Sequence, residues 1–140
     1  MDAKERLGGA AYDSIGGMML AYAQEAVRVA WSDHRQRLDL SEPSIELLEA
    51  ILAGQAASDL EFQTKLWGGY FGEAIRAQFG GEWEMTEYPG SEFAVPTLRI
   101  AGSSLYPLIK VHRRLTMGES ESLPAFYKMI AGRLKKPRTN

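Results

Sequence analysis

A chain of 140 residues, 45% of them apolar, with a net charge of −2, fits one domain that buries its own core without a metal or disulfide staple. It contains no cysteine, which excludes disulfides, thiolate zinc sites, iron–sulfur clusters and cysteine nucleophiles. The charge is segregated: residues 1–98 hold 7 Lys/Arg against 16 Asp/Glu, residues 99–140 hold 9 against 2, and the two parts therefore carry −9 and +7. Such asymmetry marks a nucleic-acid patch, an acidic-partner site, or two halves that balance each other on packing; the last is the plainer expectation.

The start of the chain has charges at Asp2, Lys4, Glu5 and Arg6, then a weakly apolar segment interrupted by Gly16 and Gly17 and carrying Asp13 and Glu25. That is not the pattern of a secretory signal, and no window approaches the ~20 apolar residues of a membrane span, so a cytoplasmic protein without a membrane partner is expected. Over residues 10–32, Ile15, Met18, Met19, Tyr22, Ala26, Val29 and Ala30 recur at three-to-four spacing and predict a first amphipathic helix. A second helix is predicted over "SEPSIELLEAILAG", with Ser41 as cap and Pro43 in the first turn. There Ile45, Leu48, Ile51 and Leu52 face the core, Glu46 and Glu49 face water, and Gly54 supplies a left-handed stop. The third helix starts at Ser58 or Asp59 and runs through "KLWGGYFGEAIRAQFGG", with Leu60, Trp67, Tyr70, Phe71, Ala74, Ile75 and Phe79 on its apolar side.

After Gly81 the period changes. "EWEMTEY" alternates Trp83 and Met85 with polar neighbours and predicts a half-buried strand; "YPGSE" is a turn; "FAVPTLRIAG" is extended, with Pro96 marking an edge or a break. "PLIKVHRRLTMG" and "SESLPAFYKMIAGRL" predict two further helices, the second capped by Ser120 or Ser122. The expected fold is α+β: three N-terminal helices, a small antiparallel sheet and two C-terminal helices, in one domain over residues 1–134 followed by a basic flexible tail over 135–140.

Gly68 (or Gly69), Tyr70, Gly72 and Glu73 form a G-x-Y-x-G-E helix, Gly80 and Trp83 a G-x-x-W strand entry, and Pro107, Lys110, Val111 and Arg114 a P-x-x-K-V-x-x-R segment. In this order, over about residues 20–128, they resemble a domain-of-unknown-function family of small bacterial proteins. The resemblance implies a bacterial, single-domain, non-secreted protein and supplies no catalytic residue.

Gly68 and Gly72 lie one helical turn apart, and with Gly69 they leave a strip without side chains. Each glycine weakens a helix by about 1 kcal/mol relative to alanine, so something must approach that backbone closely. The first helix, small-faced through Gly16, Gly17, Ala21 and Ala23, is the expected neighbour; a ligand groove is the alternative. "GGYFGE" lacks the lysine and hydroxyl of a phosphate-binding loop, and no dinucleotide fingerprint stands in a βαβ context.

Glu73 is either a carboxylate held beside open backbone as a general base or arginine clamp, or a solvent-facing partner of Arg76; the second is the plainer reading. His112 falls in line with Leu108, Val111 and Leu115 and reads as a partly buried structural histidine, and no GxSxG elbow supports its pairing with Ser103 or Ser104. With His34 as the only other histidine, no metal site and no cofactor are expected. The remaining candidates are binding residues: Trp67, Tyr70, Glu73, Arg76, Trp83, Lys110, Arg113 and Arg114, with Arg99, Lys135, Lys136 and Arg138 adding basic charge. They favour a non-enzymatic intracellular protein-interaction module of regulatory or immunity type. The rivals are a small enzyme or anionic-ligand domain using Glu73 with Arg76, Lys110 and Arg114, and a nucleic-acid binder through the basic C-terminal part.

Overall fold

Ser14 ends an extended stretch by accepting the Gly17 amide at 3.0 Å, so the first long helix begins at Ile15, the first residue of its apolar stripe, and not at residue 10 as expected. In the computed structural model, which describes residues 2–55 and 58–134, this is α2 (Ile15–His34). A short α1 (Ala3–Gly9), capped by Asp2, precedes it, so four helices and not three lie ahead of the sheet. Buried Glu25 ties the two together by pairing with Arg6 of α1 and Arg28 of α2. The others before the sheet are α3 (Ser44–Ala53) and α4 (Leu60–Phe79).

Three local expectations change. Gly54 closes α3 at φ −95, outside the left-handed region, its backbone N–H donating to the Ile51 carbonyl. Asp59 precedes α4 in a left-handed conformation, and its carboxylate makes no cap because it pairs with Lys4 at 2.9 Å. Glu49 is half-buried and does not face water.

Helix α4 is the axis of the fold. From Leu66 to Ile75 no position is exposed, the mark of a helix covered on all sides. Helix α2 runs along one flank of α4 and α5 (Pro107–Met117) along another. A 3-10 turn at Glu119–Glu121 leads to α6 (Leu123–Arg133), which Ser122 caps through the Ala125 amide. The α+β class holds: one antiparallel sheet of three strands, in order β1 (Glu82–Glu87), β2 (Ala94–Ile100), β3 (Ser103–Leu105).

Pro96 lies in the central strand, and the register explains why it is tolerated. The Tyr88 amide bonds the Phe93 carbonyl, so alternation makes Thr86↔Val95, Glu84↔Thr97 and Glu82↔Arg99 the hydrogen-bonded pairs with β1. The nitrogen of Pro96 then faces the other side, where β3 has already ended opposite Leu98. Met85, expected on the inner face with Trp83, is 50% exposed. The proposed tail, residues 135–140, lies outside the described residues. No helix among the described residues is long and apolar enough to cross a membrane.

Tyr127 on α6 is 2% exposed, and its hydroxyl has no hydrogen-bond partner among the described residues. Burial, reinforced by the Glu42 charge, pushes its pKa from 10.0 up to about 12. Ionisation is therefore easier in the unfolded chain: stability is intact below pH about 10 and falls by about 1.4 kcal/mol per pH unit as pH rises towards 12. Tyr127→Phe should leave neutral-pH stability equal or slightly higher, since it removes an unpaired buried hydroxyl. It should also lessen the alkaline loss, measured by urea unfolding at pH 8 and pH 11.

Candidate functional site

The glycine strip is covered, but by three neighbours and not by one. A Cβ on Gly69 would stand 3.2 Å from the Met19 carbonyl oxygen and 3.2 Å from Cβ of Tyr22, so α2 fills that position as expected. A Cβ on Gly68 would lie 2.9 Å from Cα of Leu108, so α5 presses its first turn there. At Gly72 the Trp83 ring would be 2.2 Å away. The strip lets a helix, a second helix and an indole reach the main chain of α4.

Trp67 and Tyr70, two of the candidate binding residues, are core. Trp67 packs edge-on against His34, and the Tyr70 hydroxyl accepts the Leu40 amide at 2.8 Å and bonds the Ser44 hydroxyl at 2.7 Å. Tyr70 thereby fastens the 35–43 connection to α4, and burial raises its pKa against the pull of those bonds.

Glu73 is 4% exposed, not solvent-facing, although its pairing with Arg76 is as expected. Its Oε2 accepts Arg76 Nε and Trp83 Nε1, both at 2.8 Å, and its Oε1 accepts Arg76 Nη2 at 3.3 Å. The same carboxylate raises the Arg76 pKa, chiefly by hydrogen bonding. A carboxylate this engaged fixes an indole in place; it does not stand ready as a base. Arg76 and Trp83, with Gly16, Gly17 and Leu20 of α2, line a shallow cleft of about 370 Å³ above it.

Arg114 leaves the basic surface altogether. It is 5% exposed and donates from Nε to Glu49 Oε2 at 2.7 Å, while Glu49 Oε1 accepts the Leu123 amide at 3.0 Å. His112, in contrast, is exposed, and not partly buried. Lys110 and Arg113 do face a groove, one of about 430 Å³ between β3, α5 and α6. The Lys110 ammonium pairs with Glu121, holding that carboxyl below its ordinary pKa, and lies 5.4 Å from the centre of the Phe126 ring. Arg113 donates to the Tyr88 hydroxyl at 3.1 Å, and Tyr88 stands perpendicular to Tyr106 at 5.0 Å.

Glu73 and Arg76 thus share one cleft, Lys110 and Arg113 another, and Arg114 an internal ion pair. Among the described residues no cluster of three or more His, Asp or Glu could hold a metal. No protein-family model, curated protein or solved structure matches the chain.

The groove holds residues that the sequence reading missed: Tyr88, Tyr106, Phe126, Met129 and Arg133. A signal existed. Tyr106, Ile109, Lys110 and Arg113, and again Phe126, Met129, Ile130 and Arg133, are spaced i, i+3, i+4, i+7, so each helix turns one aromatic-to-arginine stripe to the same side.

Proposed function

We propose that the protein is a non-enzymatic protein-interaction module, acting inside the cell in a regulatory or immunity-type role, and that the groove between β3, α5 and α6 is its working surface. One observation carries this reading. The groove joins aromatic and aliphatic walls to Lys110, Arg113 and Arg133, and no Asp or Glu is among its lining residues. Tyrosine, methionine and arginine at one concave patch are the residue types that dominate protein interfaces.

An enzyme or anionic-ligand site built on Glu73, Arg76, Lys110 and Arg114 has less support, because each is already engaged and they do not line one cleft. Nucleic-acid binding has the same cations in its favour and the −9 charge of residues 1–98 against it.

The test is affinity capture at native abundance from the cell that encodes the chain, with wild-type protein and Arg113→Glu/Arg133→Glu. Both arginines are exposed, so the variant should fold with an unchanged unfolding midpoint. A stoichiometric protein partner held by the wild type and lost by the variant is the expected result. A partner retained by the variant moves the working surface elsewhere, and no stoichiometric partner at all removes the reading.

A further inference from the structure

Resting on the interaction-module reading, the geometry points to the kind of partner: we propose that the groove receives an acidic segment in extended conformation, added as a fourth strand along the free edge of β3. The backbone supplies the first half of the argument. Ala101 and Gly102, at φ 49 and φ 83, form a two-residue turn that closes β2 onto β3. In such a hairpin the residues flanking the turn are the hydrogen-bonded pair, here Ile100↔Ser103, and alternation makes Leu98↔Leu105 the next. The N–H and C=O of Ser104, and by the same alternation the N–H of Tyr106, therefore turn away from β2. Among the described residues no strand pairs with β3 on that side, and Ser104 and Tyr106 line the groove. Two donors and an acceptor, spaced for a strand, stand open at its wall.

The second half is charge. Lys110 is neutralised by Glu121, a carboxylate that Arg113 also attracts, but among the described residues neither Arg113 nor Arg133 closes an ion pair of its own. The segment that follows Leu134 in sequence, residues 135–140, contains Lys135, Lys136 and Arg138 and no Asp or Glu. An incoming strand with carboxylates on one face would meet Arg113 and Arg133. Its alternate side chains would fall on Ile109, Phe126 and the half-exposed Met129. A polynucleotide could answer the cations but has no peptide backbone to exchange both N–H and C=O bonds with Ser104. The edge is short, so pairing alone is worth little, and affinity must come from charge and floor together.

A random-peptide display library selected on the wild-type protein, and depleted on Arg113→Glu/Arg133→Glu, isolates binders that depend on the groove. Their sequences should carry Asp or Glu at every second position with apolar residues between, and added salt should weaken them. Scanning a selected peptide with N-methyl residues should weaken binding about tenfold at alternate positions only, because an antiparallel strand offers every second amide to its neighbour. Amide exchange at Ser104 and Tyr106 should slow in the complex.

Groove-dependent peptides without acidic enrichment, N-methyl sensitivity lacking a period of two, or no groove-dependent peptide at all would each overturn the proposal. So would an oligothymidylate probe that binds the groove more tightly than the selected peptides. If the native partner is nonetheless lost with Arg113→Glu/Arg133→Glu, the module stands and only the extended acidic segment falls. If the native partner is indifferent to that variant, the groove itself was misassigned.

Discussion

Glu49→Ala should destabilise the protein by about 3–5 kcal/mol, the largest effect expected of any single substitution here. The carboxylate joins three helices: it sits on α3, takes Nε of Arg114 from α5 at 2.7 Å, and takes the backbone amide of Leu123, the first residue of α6, at 3.0 Å. Alanine would leave a guanidinium buried without a counter-ion and a helix-initiating amide without an acceptor. Urea unfolding measures the loss. Glu49→Leu combined with Arg114→Met should recover most of it, because the penalty lies in the unpaired charge and not in the missing attraction. A loss under about 1 kcal/mol for Glu49→Ala would mean that water reaches Arg114 in solution.

That ion pair also explains what the sequence could and could not disclose. The buried face of α5 is Pro107, Leu108, Val111 and Arg114, one stripe at helical spacing. Position alone puts Arg114 inside; its charge argues for the outside, and only a carboxylate 65 residues earlier in the chain decides between them. Glu73 repeats the lesson. Spacing foretold its bond to Arg76, but the second bond, to the indole of Trp83, depends on how β1 returns across α4. His112 shows the reverse error: it adjoins Val111 in sequence and so points off the stripe into solvent. Apart from α1 and β3, the helices, the strands and their order follow from local period and turn chemistry, which a single sequence carries. Long-range pairings of charge do not, and the groove escaped notice because its walls come from α5, α6 and a three-residue strand.

The glycines of α4 should rank by what presses on them. Gly68→Ala puts a methyl carbon 2.9 Å from the Leu108 main chain, so the first turn of α5 must move away from α4. Gly72→Ala drives one to 2.2 Å from the Trp83 ring, which can retreat only by giving up its bond to buried Glu73. Overpacking of this kind costs about 1–3 kcal/mol and occasionally more, against a gain of about 1 kcal/mol in helix propensity. A net loss of up to about 2 kcal/mol is expected for each, with Gly69→Ala milder because its nearest atoms stand at 3.2 Å. Gly132→Ala on α6, where a Cβ meets nothing within 4 Å, should instead stabilise by up to about 1 kcal/mol. The order, read from denaturation midpoints of the four variants, is the measurement. If Gly72→Ala were as stable as the wild type, the indole would not lie over α4 in solution. The clamp formed by Glu73, Arg76 and Trp83 would then be open, and its cleft would be free to take a ligand.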